Sequence, residues 1–244
     1  MDRLIYTSMS GAKYLLERQA TLANNLANAD TTGFRADTVG LRAVPAVSPQ
    51  AGTRVFTVET TTGADFSQGP MTATGRTLDV AIQGEGWLAV QTSDGSEAYT
   101  RNGALQVGPD GVLQLPNGLQ VQGTGGPISI PADAQSVLIA TDGTVSVKAA
   151  SSKVPTNVGQ LKLVNPPISD LSKGTDGLFR TQSGAAADTD ASVRVADGTL
   201  EGSNVNVVEA MVGMIAASRQ FELQMKMLST AEQNEQKASS VVGP

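Results

Sequence analysis

The sequence predicts an α+β protein in which two long terminal helices flank a central, mainly antiparallel β domain. Both ends of the 244-residue chain are almost free of helix breakers, whereas ten of the 11 prolines lie between Pro45 and Pro167 and 23 of the 26 glycines between Gly33 and Gly202. Proline and glycine interrupt helices and mark turns. The middle also contains short apolar runs separated by Asp-Gly and Asn-Gly pairs, which are typical of tight hairpins.

The first predicted element is an N-terminal helix within residues 1–33. Its apolar residues recur at alternating steps of three and four, which places Ile5, Leu15, Leu22 and Leu26 on one side of a helix. The turn-forming sequence Asp30-Thr31-Thr32-Gly33 then ends the helix, because glycine readily adopts the left-handed conformation that follows a helix end.

The next two segments are a connector and the β-rich domain. Residues 34–77 are irregular, with Pro45, Pro49 and Gly69-Pro70, and we expect a connector that is extended with some strand. Residues 78–199 form the predicted β domain. Its apolar runs alternate with the turn pairs Asp94-Gly95, Asn102-Gly103, Asp110-Gly111, Asn117-Gly118 and Asp142-Gly143, which predicts an antiparallel arrangement.

The last predicted element is a C-terminal helix within residues 200–244. Asn206 followed by Glu209 is a candidate capping box before an apolar run. Neither terminal helix is stable alone in water unless it buries its apolar stripe. We therefore expect the helices to pair in a coiled-coil-like unit and to form an assembly seam. The seam residues are Ile5, Leu15, Leu22, Leu26, Val207, Met211, Met214, Phe221, Met225 and Leu228.

Composition excludes several functional classes. The chain has no cysteine and no histidine, which excludes thiol nucleophiles, imidazole bases and Cys/His metal sites. Its net charge is -6 without any run of basic residues, which argues against binding to nucleic acid. The sequence has no window of about 20 apolar residues that could span a membrane. We expect no catalytic residue, no cofactor and no metal, and therefore no enzyme.

Two motifs have a simpler explanation than ligand binding. Gly84-Glu85-Gly86 matches a dinucleotide fingerprint, but a strand follows it instead of the required helix, so we interpret it as a bend. Acidic pairs of a glycosidase are conceivable, although Trp87 is the only tryptophan available to bind a sugar ring. A secreted β-rich glycan-binding protein with a helical oligomerisation stalk is therefore the alternative from another functional class.

Three asparagines near the end of the first helix have two possible roles. Asn24, Asn25 and Asn28 could simply form a solvated face. Their amides could instead make hydrogen bonds to neighbouring helices and define the register, as a buried asparagine does in coiled coils. Periodicity does not distinguish the two roles.

Four stretches of the sequence resemble the bacterial flagellar rod and hook (axial) protein family. They are residues 22–35, residues 78–87, Tyr99-Thr100-Arg101-Asn102-Gly103, and residues 201–222, in the order that the family has them. The N-terminal signature consists of Asn24, Asn25, Leu26, Ala27, Asn28, Thr32, Gly33, Phe34 and Arg35. Trp87-Leu88 stands where the family often has two phenylalanines, and Arg35 where lysine is common.

Within that family the sequence is most similar to the proximal rod type, and the distal rod and hook types are the alternatives. The resemblance implies a structural subunit that polymerises helically with copies of itself and with other proximal and distal rod proteins. It also implies passage through the flagellar type III export apparatus without a cleaved signal peptide, and a place in the basal-body rod within the periplasm. The rod would serve flagellum-dependent motility as a drive shaft.

Limited proteolysis of the isolated chain tests this organisation. If the ends become ordered only on assembly, digestion should remove them and leave a resistant fragment near residues 42–199. Digestion that leaves both ends intact in a verified monomer would contradict the prediction. Specific binding of a glycan by the 42–199 fragment would instead favour the glycan-binding alternative.

Overall fold

The computed structural model describes residues 2–45, 55–150 and 154–241. The described chain separates into two compact units. The first contains residues 2–29, 36–65 (except 46–54) and 205–241, and the second contains residues 30–35 and 66–204 (except 151–153). The α+β class and the mainly antiparallel β domain are confirmed.

The first unit contains two helices and a β hairpin. Helix α1 spans Asp2–Ala27 and helix α2 spans Val207–Val241. Strands β1 (Asp37–Pro45) and β2 (Val55–Ala64) pair antiparallel. The hairpin occupies much of the segment for which the sequence predicts a connector with some strand.

The N-terminus of α2 is capped by the Asn206 side chain, which confirms the N-cap half of the predicted capping box. Oδ1 of Asn206 accepts hydrogen bonds from the backbone N–H groups of Val208 and Glu209, at 3.1 and 3.2 Å. These N–H groups have no partner within the helix, so the cap satisfies two donors that the helix leaves open.

Helices α1 and α2 contact each other and run antiparallel. The space beside Gly213 is filled by the Leu22 side chain, and the space beside Gly11 by the Gln224 side chain. Leu22 lies eleven residues after Gly11, and Gly213 lies eleven residues before Gln224. The same spacing in opposite directions defines both the antiparallel orientation and the register of the two helices.

Small residues dominate the side of α2 that is buried. Ala210, Ala217 and Ala231 are buried, and Gly213 is half-buried on the same side. On α1 the buried side chains include Ala12 and Leu15. Alanine and glycine let helix axes approach closely, and the larger residues Leu22, Met214, Phe221 and Leu228 are half-buried.

The second unit is built from short strands. They are β3 Met71–Ala73, β4 Val80–Gln83, β5 Trp87–Gln91, β6 Glu97–Thr100, β7 Gln106–Val107, β8 Leu113–Gln114, β9 Gln120–Gly123, β10 Gly126–Pro127, β11 Ala134–Ile139, β12 Thr144–Ala149, β13 Thr156–Gln160, β14 Leu163–Val164, β15 Leu171–Lys173, β16 Phe179–Thr181, β17 Arg194–Asp197 and β18 Thr199–Glu201. A 3₁₀ turn at Ile168–Asp170 precedes β15.

These strands form one large sheet and three smaller ones among the described residues. The large sheet has the strand order β15-β16-β6-β5-β9-β8-β7, with β10 beside β9 and β14 beside β5. The smaller sheets are β11-β12-β13, β17-β4 and β18-β3. Every pairing within them is antiparallel. Buried Val, Leu and Ile side chains from most of these strands, among them Val90, Leu113, Val121, Val145 and Leu161, form one apolar core.

The turn pairs behave as the sequence predicts, with one exception. Gly95, Gly111, Gly118 and Gly143 all have positive φ and therefore use the freedom that glycine provides. The hairpin expected at Asn102-Gly103 is wrong, because β6 and β7 do not pair with each other. Glycine is needed there for another reason: a Cβ atom at Gly103 would overlap the carbonyl oxygen of Val80.

Three aspartates in turns, Asp94, Asp142 and Asp190, should make the stability of the β domain depend on pH in the acid range. Hydrogen bonds from Thr92 and Ser96 lower the pKa of Asp94 from 3.8 to about 2, and bonds from Thr144 and from Ser192 lower the pKa of Asp142 and of Asp190. A carboxyl whose pKa is lower in the folded state stabilises that state above the unfolded pKa. The contribution is lost as pH falls through the folded value.

We therefore expect the urea midpoint of the β domain to fall between pH 5 and pH 2. The fall should be smaller in the combined variant Asp94→Asn, Asp142→Asn and Asp190→Asn, whose amides do not titrate. Denaturation curves followed by tryptophan fluorescence measure both slopes. Equal slopes for the two proteins would contradict the assignment.

Candidate functional site

The second unit buries a carboxylate between two arginines. Glu201, at the end of β18, is 0% exposed, and Arg35 and Arg101 are 1% and 6% exposed. Oε1 of Glu201 lies 2.7 Å from Nη2 of Arg35 and accepts a hydrogen bond from the backbone N–H of Gly69 at 3.0 Å. Oε2 accepts a hydrogen bond from Nη1 of Arg101 at 3.1 Å. The three charges come from three distant parts of the chain.

The two arginines have different surroundings apart from Glu201. Arg101 donates to the backbone carbonyls of Ile82 and Gly84, at 3.3 and 2.6 Å, and its guanidinium carbon lies 5.5 Å from the centre of the Trp87 ring. Arg35 donates to the carbonyl of Ser67 at 2.6 Å. Arg101 is thus held by several groups of the β domain, whereas Arg35 relies mainly on Glu201 and one carbonyl.

The hydrogen bonding of these arginines is incomplete for such buried groups. Nε of Arg35 and Nε of Arg101 have no hydrogen-bond partner within the described structure. The contact between Nη2 of Arg35 and Glu201 is an ion pair, because its N–H groups are not directed well enough for a hydrogen bond. Burial lowers the pKa of Arg101, the Glu201 charge opposes this change, and the Arg35 charge adds to it.

Backbone hydrogen bonds join the same segments. The N–H of Gly33 donates to the carbonyl of Glu201 at 2.8 Å, and the N–H of Asn204 donates to the carbonyl of Phe34 at 3.3 Å. Nζ of Lys173 donates to the carbonyl of Arg35 at 2.7 Å and lies 3.9 Å from the centre of the Phe34 ring. Residues 30–35 and 199–204 are therefore bound to each other and to the β domain.

Glycines allow these segments to approach closely. Gly33 has φ +69°, and a Cβ atom there would overlap the backbone of Arg101 and Asn102. A Cβ atom at Gly69 would overlap the carbonyl of Gly202 in the same way. Glycine is needed at Gly33 for two independent reasons, the backbone conformation and the close approach.

The signature asparagines differ in what they bind. The side chain of Asn25 is buried, donates to the carbonyl of Asp37 at 2.9 Å and accepts from the N–H of Asp37 at 2.8 Å. This pair of bonds joins α1 to the first residue of β1. Asn28 instead donates to the carbonyl of Asn24, one turn earlier in the chain.

The other signature residues lie in and after the last turn of α1. Leu26 is half-buried, Ala27 is exposed at the end of α1, and Thr32 is half-buried. Gly33 and Arg35 belong to the buried charged cluster described above, and Phe34 is half-buried against Lys173. The sequence places Arg35 in the signature but contains no local pattern that pairs it with Glu201, because Glu201 lies more than 160 residues further along the chain.

The proposed seam residues fall into two groups. Leu15 is buried, and Leu22, Leu26, Met214, Phe221 and Leu228 are half-buried. Val207, Met211 and Met225 are exposed. The side chain of Ile5 lies outside the described residues. That the exposed and half-buried residues act in assembly stays a prediction.

No helix in residues 2–45, 55–150 and 154–241 is long and apolar enough to cross a membrane. The same residues contain no group of three or more metal-ligating side chains that could hold an ion. The buried cluster of Arg35, Arg101 and Glu201 instead joins chain segments through charge and close backbone contact.

Family models match three parts of the chain. Residues 5–35 match the flagella basal body rod protein model, residues 81–147 match the flagellar hook protein FlgE/F/G D1 domain, and residues 196–241 match the flagellar basal body rod FlgEFG protein C-terminal model. These three models together describe the flagellar hook and rod class of proteins.

Full-length relatives show which proteins of this class the chain is similar to. The flagellar basal-body rod protein FlgF of Escherichia coli (strain K12) is 48% identical and that of Salmonella typhimurium is 46% identical, each over 99% of both chains. The flagellar basal-body rod protein FlgG of Bacillus subtilis (strain 168) is 32% identical over 96% of both chains. The chain belongs to the FlgF family of flagellar basal-body rod proteins.

Replacement of Gly33 by alanine should destabilise the second unit. Gly33→Ala would place a side chain in the left-handed region and against the backbone of Arg101. Gly75→Ala is a matched control, because Gly75 has φ +71° with no atom within 4 Å of the added Cβ. We expect a loss of about 1–2 kcal/mol at Gly75 and a clearly larger loss at Gly33. Urea denaturation measures both, and equal losses would contradict the close-packing argument.

Proposed function

We propose that the chain is a structural subunit of the proximal rod of the flagellar basal body and assembles through its two terminal helices. Membership of the FlgF family supports the rod assignment. A structural role requires no catalytic group, and we assign the chain no enzymatic activity. The observation that carries the assembly proposal is the distribution of large apolar side chains on α2.

The first turns of α2 carry apolar residues on most sides, and Glu209 is the one charged residue between Val207 and Ala217. Val208, Val212 and Ile215 are 70%, 61% and 57% exposed. Successive residues of a helix are rotated by about 100°, so these three lie on the side opposite the buried Ala210 and Ala217. A helix that is apolar around its whole circumference is normally buried on all sides. Since α1 covers one side, other subunits are the natural cover for the opposite side.

A second exposed apolar surface involves both helices. Met9 and Leu16 of α1, and Met211 and Met225 of α2, are each about half exposed. The antiparallel register defined by Gly11 and Gly213 places Met9 level with Met225. Helical geometry also places these residues on the same flank of the helix pair. We propose that this flank forms a seam with helices of neighbouring subunits.

The coiled-coil-like character of the helix pair is part of the same proposal. On α2 the buried and half-buried residues recur in alternating steps of four and three, from Ala210 through Met214, Ala217, Phe221, Gln224 and Leu228 to Ala231. Such steps produce the knobs-into-holes packing of coiled coils. On α1 the steps through Ala12, Leu15, Leu22 and Leu26 follow the same spacing.

The wider setting follows from the rod assignment. We propose that the partners are copies of this chain and other proximal and distal rod proteins, and that the rod lies within the periplasm. Delivery through the flagellar export apparatus, without a cleaved signal peptide, belongs to the same proposal. A helix pair that leaves Val208, Val212 and Ile215 exposed is suited to ordering against neighbours.

Substitution on the exposed side of α2 tests the assembly surface. Ile215→Asp should leave the free energy of unfolding of the monomer within about 0.5 kcal/mol, because the side chain is 57% exposed. It should nevertheless abolish incorporation into basal bodies and swimming, in cells whose own copy of the gene is deleted. Purified basal bodies and motility in soft agar are the measurements.

The matched control is Ile168→Asp, which changes an isoleucine that is 53% exposed in the β domain. This variant should assemble and support swimming. Leu22→Asp and Phe221→Asp, within the helix contact, should also block incorporation while the β domain stays folded. Normal assembly of Ile215→Asp would reject the exposed surface, and failure of both isoleucine variants would show that the effect is not specific to α2.

A further inference from the structure

The buried cluster holds more positive than negative charge. One carboxylate, on Glu201, serves two guanidinium groups, on Arg35 and Arg101, and all three side chains are at least nine-tenths buried. A buried charge without a partner is strongly destabilising, because it has lost its hydration. Both arginines therefore depend on the same acidic side chain.

The three residues hold very different positions in the chain. Arg35 lies eight residues after the end of α1, and Glu201 lies six residues before the start of α2. Arg101 follows β6, in the body of the β domain. Glu201 thus links the segment that follows the first helix to the segment that precedes the second.

We infer that Glu201 is a positioning residue that latches residues 30–35 and 199–204 together, so that both segments dock on the β domain or neither does. Its carboxylate binds Arg35 of the first segment, and its backbone carbonyl binds the N–H of Gly33. The inference rests on these contacts within the β domain, and it does not depend on the proposed assembly surface.

Loss of the Glu201 charge should release first the arginine that has fewer other partners, which is Arg35. Without the carboxylate, Arg101 still has the carbonyls of Ile82 and Gly84 and the face of Trp87. Arg35 would keep only its hydrogen bond to the carbonyl of Ser67. Its guanidinium group would therefore recover the most hydration free energy by moving into water. Its departure breaks the Gly33–Glu201 and Phe34–Asn204 backbone hydrogen bonds, so residues 199–204 lose their partner as well.

Hydrogen exchange of the full chain, read by mass spectrometry, tests the latch. In Glu201→Gln the amides of peptides covering residues 30–36 and 199–205 should exchange at least about 100-fold faster, and to the same extent in both peptides. The matched control is Glu97→Gln, which removes another carboxylate of the β domain, half-buried and paired with Lys162 at 2.7 Å. It should leave both peptides unchanged.

A second substitution distinguishes a role of the Glu201 charge from a role of the shape of its side chain. In the Glu201→Gln background, Arg35→Met removes the buried positive charge that the latch neutralises, so it should restore at least about tenfold of the lost protection in both segments. A role of Glu201 in shape alone predicts that Arg35→Met adds to the loss. Faster exchange in one segment only, no change in Glu201→Gln, or no rescue would each overturn the inference.

If Glu201→Gln does not fold, Glu201→Asp supplies the comparison, because it keeps the charge and withdraws the carboxylate by one methylene group. The latch predicts that exchange in Glu201→Asp rises to the same extent in both segments, and by less than the roughly 100-fold expected for Glu201→Gln. A rise in a single segment rejects the latch.

Discussion

The structure depends on the carboxylate of Glu201. A glutamate without exposure to water is destabilising in most settings, and it is tolerated here because both of its oxygens have partners. Two of those partners are themselves buried cations, so removal of the carboxylate would leave both guanidinium groups without this anion. The interaction brings three distant chain segments together, although an apolar cluster of equal volume can be as stable.

Close backbone approach is the steric counterpart of this charge interaction. Gly33, Gly69 and Gly103 each lie where a Cβ atom would overlap a backbone atom of another segment. The charged side chains reach each other because the backbones that carry them are this close. Charge and sterics therefore select the same residues, which explains why glycine stands beside the arginines in the signature stretches around Gly33-Phe34-Arg35 and Arg101-Asn102-Gly103.

Local signals in the sequence were sufficient to predict the helices and most of the turns. They were insufficient to predict the buried cluster of Arg35, Arg101 and Glu201. The helices follow from period and capping: Asn206 caps α2 as its position predicts. Positive φ at Gly95, Gly111, Gly118 and Gly143 follows from the Asp-Gly and Asn-Gly pairs. Asn102-Gly103 failed as a hairpin because its glycine serves a tertiary contact, which a dipeptide does not reveal. The Arg35–Glu201 ion pair was equally hidden, since no local pattern links residues so far apart.

The helical part of the chain has an unusual distribution of side-chain size. Among the described side chains of α2, the fully buried apolar residues are alanines, at positions 210, 217 and 231, while Val208, Val212, Ile215 and Leu223 are exposed to solvent. Large apolar side chains of α2 thus lie both on the half-buried side, at Met214, Phe221 and Leu228, and on the exposed side. If neighbouring subunits cover these exposed side chains, as proposed, helix content would depend on protein concentration by mass action, and ordering of the helices and association would form a single equilibrium.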